Sequence, residues 1–183
     1  RAQEAEVRAR LGAALDCTGA EGIRLVSDGL WTIPPAGETA REYLTDSVEA
    51  DGVRIATNMS GSVRYHTMAN GPNAADEMTI DAPNVSLSAD TVMPESLITS
   101  IQPHYQVAQA EDLPTLFNYA LRIAGPLLAL GVNSPFFPPD LYDDVGAGKI
   151  LADGYDEHRI AVFESVLNTA DTEKVRFPRD LDT

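Results

Sequence analysis

From Leu97 to Val107 apolar and polar side chains alternate, and the stretch that follows carries a wide apolar face at helical spacing. Those two periods in succession, 2 and then 3.6, admit few arrangements beyond a strand that feeds a long helix. Leu97, Thr99, Ile101, Pro103, Tyr105 and Val107 make one face of the predicted strand. Ile98, Ser100, Gln102, His104 and Gln106 make the other. Residues two apart share a side of a strand, so Gln102, His104 and Gln106 face the same way. Glu111 and Asp112 then sit where a helix dipole favours acids, with Pro114 in the first turn. Leu113, Leu116, Phe117, Ala120, Ala124, Leu127 and Leu128 line the face of this helix. It is long enough to cross a bilayer, but Asn118, Arg122 and the Gly125-Pro126 pair interrupt it, which predicts a buried helix of a soluble domain.

Two further helices are expected. Val7, Leu11, Ala14 and Leu15 recur at helical spacing over residues 2 to about 17, which predicts a helix packed on a sheet and closed by Gly19 and Gly22. Ile160, Phe163, Val166 and Leu167 form a stripe on a last helix over about 156–168. GIRLVSDGLWTIPP reads as a strand stopped by Pro34 and Pro35, with Trp31 in the core. Residues 36–95 are rich in Gly, Pro, Asn and Asp and read as long site loops, with a short helix over SVRYHTMANG. The order predicts an α+β fold, an antiparallel sheet with helices packed on one face, over 1–183 as a single partial domain. The first residue is Arg1 and the sequence stops abruptly after VRFPRDLDT, the expectation being an internal fragment of a larger catalytic domain.

Charge narrows the partners. With 28 acids against 13 bases the net charge is −15, and no basic stripe exists to neutralise phosphates, which argues against nucleic acid. Only Lys149 and Lys174 are lysines, so the composition resembles that of salt-adapted, halophilic proteins. Cys17 is the single thiol; it can form no internal disulfide, suits a reducing cytoplasm, and reads as a small buried residue of the first helix.

The residues that could carry chemistry come in chain order. His104 stands between Gln102 and Gln106 on the strand. Asn133 and Ser134 follow the long helix in GVNSPFF. Arg159, in YDEHRIAVF, lies beside an apolar stripe, where a guanidinium either snorkels or holds an anion. Arg64 and Tyr65 sit on the short helix among the loops, and Arg176 and Arg179 offer further cations.

That ordered set resembles the carboxylate-amine ligase branch of the glutamate-cysteine ligases, over about Ile98 to Phe163 with an echo at Arg64-Tyr65. The family shows Gly-Leu-His-Val-His-Val-Gly on the strand, Ala-Asn-Ser-Pro-Phe after the helix, and Ser-Tyr-Arg before a Val/Ala-Leu-Phe. The resemblance implies a glutamine synthetase-like fold whose concave sheet holds ATP, divalent metal and glutamate, and a homo-oligomer is compatible with it. It implies ligation of the glutamate γ-carboxylate to an amine such as cysteine through an acyl phosphate. Arg159 and His104 would then be catalytic. Asn133, Ser134, Arg64 and Tyr65 would bind substrate, while His104 and Gln106 would meet ATP. Gln102 stands where the family has its metal-associated His, and a neutral amide oxygen suits Mg²⁺ better than softer metals. Gln106 replaces a family Gly. A fold that binds an amino acid or nucleotide without turnover is the alternative, and an acidic assembly domain a third reading.

Overall fold

A computed structural model of the chain describes residues 1–71 and 77–167, so Arg176 and Arg179 lie outside the described residues. Helices and short antiparallel strands are mixed along the chain, the α+β class expected. The elements are α1 (Ala2–Ala20), α2 (Ala40–Thr45), β1 (Ser47–Ala50), β2 (Val53–Ala56), α3 (Val63–Asn70), β3 (Met78–Ala82), β4 (Val85–Ala89), α4 (Leu113–Gly131), α5 (Ala147–Asp153) and α6 (Arg159–Leu167).

The strands form two separate hairpins inside the span expected to be loops. β1 pairs with β2 from Ser47↔Ala56 to Ala50↔Val53. The turn is Asp51-Gly52, with φ of 54° and 74°. Two positive φ values in a two-residue loop give the mirror-image turn whose twist suits a hairpin, and Asp-Gly is a preferred sequence for it. β3 pairs with β4 from Met78↔Ala89 to Ala82↔Val85, through Pro83 and Asn84. Asn84 has φ of 62°, a conformation Asn tolerates better than most residues. Composition alone hid both hairpins, because turn residues outnumber strand residues in this region.

β4 shows why the core forms where it does. Val85, Leu87 and Ala89 are buried while Ser86 and Ser88 are exposed, the alternation of a strand with one face on a core. Leu30, Leu44, Ile80, Leu97, Phe137, Leu141 and Val162 complete that core, with Trp31 packed against it as expected. Trp31 stacks at an angle on Tyr43, ring centroids 5.0 Å apart. α6 packs on β3, where Ser165 accepts a hydrogen bond from the Asp81 amide.

α2 brings Ala40 and Leu44 into this core and is fixed at its start by a reciprocal cap. Thr39 Oγ1 accepts from the Glu42 amide at 3.1 Å, and Glu42 Oε2 accepts from the Thr39 amide at 2.9 Å. The Thr39 amide and the Thr39 hydroxyl, both donating to Glu42 Oε2, hold the Glu42 carboxyl below its usual range. Thr39→Ala should cost about 1 kcal/mol in urea unfolding. A midpoint equal to that of the parent chain would show that α2 does not depend on this cap.

α3 is fastened differently. The Asn70 side chain accepts from the Arg54 amide through Oδ1 at 2.7 Å and donates through Nδ2 to the Arg54 carbonyl at 2.7 Å. One side-chain amide thereby ties the end of α3 to β2.

Several expectations are corrected. The strand predicted over Leu97–Val107 does not form beyond its first residues. Leu30 bridges Ile98, the Trp31 amide donates to the Leu97 carbonyl at 2.8 Å, and the Thr99 amide donates to the Gly29 carbonyl at 2.9 Å. The ladder stops there because the Thr99 carbonyl turns instead to Arg159, and Pro103 has no N–H to resume it. Ile101 is 93% exposed. The GIRLVSDGLWTIPP strand shrinks to the same bridge. α1 forms but buries no residue; Arg8–Glu4 and Arg10–Glu6 pairs run along its surface, and Cys17 is exposed rather than buried. α4 also forms at its predicted place yet buries nothing. Residues 110–131 are, by length and composition, long and apolar enough to cross a membrane.

Candidate functional site

Three segments distant in sequence meet at the start of α6. The turn before α6 places Glu157 and His158 inside the protein, and residues 133–134, just past α4, run alongside it. Ser134 and Glu157 form a parallel bridge, with the His158 amide donating to the Ser134 carbonyl at 2.9 Å. The third segment is Gly29 with Thr99, held together by the short ladder.

Arg159 ties these segments. Its Nε donates to Glu157 Oε1 at 2.8 Å and its Nη2 to Glu157 Oε2 at 2.6 Å, a two-point grip on a carboxylate that is 5% exposed. Nη1 donates to the Thr99 carbonyl at 3.1 Å and Nη2 to the Gly131 carbonyl at 3.0 Å. A guanidinium carries five N–H groups in a fixed fork, so four are engaged and one on Nη1 has no partner among the described residues. Glu157 also accepts from the backbone amides of Asn133, at 3.3 Å, and Arg159, at 3.1 Å.

The electrostatics follow from this geometry. Burial by itself pushes the Glu157 carboxyl up, but the hydrogen bonds and charge of Arg159 and the Asn133 amide outweigh it and hold the group below its usual range. Arg159 is raised in turn, chiefly by its hydrogen bonds to Glu157 against the pull of burial. His158 is completely buried, between Phe137 and Tyr155 at ring-centroid distances of 4.8 and 5.6 Å. Burial pushes its pKa down; the Glu157 charge and the nearby Pro135 carbonyl oppose that shift without reversing it.

Gly29 lies against the cluster. A Cβ built there would come well inside 3.0 Å of Asn133 Oδ1 and Ser134 Oγ, and stand 3.0 Å from Arg159 Cζ. Ser134 is buried and donates through Oγ to Asn133 Oδ1 at 3.1 Å. Only a residue without a side chain leaves these groups together.

The structure thus brings Asn133, Ser134 and Arg159 into one cluster. It does not bring the other sequence candidates there. Gln102, His104 and Gln106 are exposed on an irregular segment, so the shared facing expected of a strand is lost. Arg64 is exposed and Tyr65 is 39% exposed on α3, which docks on β2. Sequence reasoning missed Glu157, His158 and Gly29. The signal for the first two was an acid and an imidazole immediately before Arg159 in DEHR; nothing in the neighbourhood of Gly29 marks its contact with residues more than a hundred positions away.

A divalent cation requires several oxygen ligands. Among the described residues no three His, Cys, Asp or Glu side chains converge, and Glu157, the carboxylate within the cluster, is engaged by Arg159. Gln102, the metal-ligand candidate of the sequence, has no such cluster beside it among the described residues.

Neither curated protein sequences nor solved structures give a match to the chain. The sequence profile of glutamate-cysteine ligase family 2 (GCS2) matches residues 1–183, its whole length. Asn-Ser-Pro-Phe and Arg159, two of the three motifs that carried the resemblance, are the segments that the fold draws together around Glu157, and the chain belongs to glutamate-cysteine ligase family 2.

Proposed function

We propose that the protein is an ATP-dependent carboxylate-amine ligase that joins the γ-carboxylate of glutamate to an amine such as cysteine. In this reading an oxygen of the γ-carboxylate takes the terminal phosphoryl group of ATP and ADP leaves. The amine nitrogen then attacks the acyl carbon, loses a proton, and inorganic phosphate departs. Both steps depend on positioning and on positive charge near the moving phosphoryl group.

The observation that carries this proposal is the convergence of Asn133, Ser134 and Arg159 on one bridge. Arg159 has one N–H for an anionic substrate group and uses the others to hold residues 99, 131 and 157 in register. Asn133, beside it and exposed, supplies a neutral amide. His104, Gln102 and Gln106, with Arg64 and Tyr65, belong to the same proposal as groups that would approach substrate from exposed segments. Mg²⁺ would accompany ATP, neutralising charge on its phosphates.

The test is steady-state ADP release by the protein supplied with Mg²⁺, ATP, glutamate and a panel of amines. Release that requires both glutamate and one of the amines is the expected result. A second reading, binding without turnover, is favoured by Gln102, which stands where the family has its metal-associated His. Calorimetric binding of glutamate or ATP with no ADP released would establish that reading and overturn the first.

A further inference from the structure

His158 has no part in the proposed ligation, yet it occupies an unusual position. The residue is completely buried, and neither ring nitrogen has a hydrogen-bond partner at good geometry. Phe137 and Tyr155 cover the ring. It also immediately precedes the first residue of α6, where the helix dipole opposes a positive charge. A neutral imidazole fits this site as an aromatic ring would. A charged one would be a buried cation with only the Pro135 carbonyl near its two N–H donors, a state that moving the ring into water relieves.

We propose that His158 is a protonation latch: the turn carrying Glu157 and Arg159 stays docked on Ser134 while the imidazole is neutral, and charging the ring releases that turn.

The surrounding charges fit this assignment. Glu157, the acid whose charge acts on the ring, is engaged at both oxygens by Arg159, so it has little capacity to shelter an imidazolium. Lys149 and Asp153 of α5, the helix before this turn, pair with each other. The Pro135 carbonyl lies near the ring, and Tyr155 presents its own ring to it. The His158 amide is itself the donor to Ser134, so leaving the pocket breaks the bond that docks the turn.

Burial lowers the folded pKa below the ordinary value of 6.5. Below 6.5 the undocked form therefore binds a proton that the docked form does not, and docking weakens as pH falls. The Glu157 carboxyl cannot produce this effect, since it titrates below its usual value of 4.5.

Amide hydrogen exchange of the whole chain, corrected for the intrinsic rate at each pH, tests the latch between pH 7.5 and 5. Protection of the His158 amide should fall about tenfold for each pH unit below about 6.5, as one proton per opening requires. His158→Phe, which fills the pocket with an uncharged ring, should remove the slope. Flat protection in the parent chain, or the same slope in His158→Phe, would overturn the proposal. If the variant does not fold, ¹⁵N shifts of the imidazole in the parent chain decide. A ring that charges near pH 6.5 while its amide stays protected overturns the latch; a ring that charges only in step with the loss of protection supports it. The outcome does not depend on whether the protein turns over ATP.

Discussion

Arg159→Ala is expected to lower the stability of the chain by about 3 kcal/mol, toward the lower end of what breaking a buried ion pair costs. The reason is the partner left behind. Glu157 would remain inside the protein with only the Asn133 and Arg159 amides to satisfy it, and the carbonyls of Thr99 and Gly131 would lose their donor as well. Glu157→Gln should cost less, because the guanidinium is 24% exposed and keeps both carbonyls. The effect should also depend on pH in a definite sense. A carboxyl held below 4.5 in the folded state contributes stability that is present above that value and lost as pH falls through the depressed one. The gap between the parent and Arg159→Ala should therefore be full at pH 7 and narrow in strong acid to the part that comes from the two carbonyls. Urea titrations at the two pH values measure it, and an Arg159→Ala cost under about 1 kcal/mol at pH 7 would reduce the pair to a surface contact.

Gly29→Ala should be costly at a position that looks unimportant in the sequence. Its new methyl group would occupy the space of Asn133 Oδ1 and Ser134 Oγ and press on the Arg159 guanidinium carbon. Asn133 is exposed and can swing away, but Ser134 is buried and its carbonyl docks the His158 amide. Overpacking of this kind costs about 1–3 kcal/mol. Gly12→Ala is the control, since a Cβ there meets nothing within 4 Å and the residue is helical; it should be neutral or slightly stabilising. Equal midpoints for Gly29→Ala and the parent would mean that the Asn133-Ser134 segment does not rest on Gly29.

What could be read from the sequence divides along the range of the interactions involved. α4 and α6 were legible because a 3.6-residue period is a local property. Whether such a helix is covered is not local: the same Leu113, Phe117 and Leu127 that predict α4 are exposed in the structure. The strand over 97–107 failed for a related reason. Alternation specifies a strand only where a neighbour completes the ladder, and here the Thr99 carbonyl is taken by a residue 60 positions away. Both hairpins had readable turns, Asp51-Gly52 and Pro83-Asn84, but a region judged by composition conceals four- and five-residue strands.

The site shows the same division. Asn133, Ser134 and Arg159 were legible as a motif set, and the fold does gather them. Glu157 was not, although its carboxylate organises the cluster, because an acid two residues before an arginine looks like any solvated charge. His104 was prominent by its neighbours and ends on an exposed segment; His158, inconspicuous in DEHR, ends at the centre.

The Asn70 side chain has a consequence beyond fastening α3. An isolated two-stranded ribbon leaves peptide groups unpaired along its outer sides, and these can recruit a strand from another molecule. The peptide groups of Arg54 point away from Glu49 toward such a side, and the Asn70 amide meets both, imitating the backbone of an additional strand. The helix that follows the hairpin thus blocks its growth at Arg54, so that β2 ends its ribbon within its own chain instead of templating aggregation.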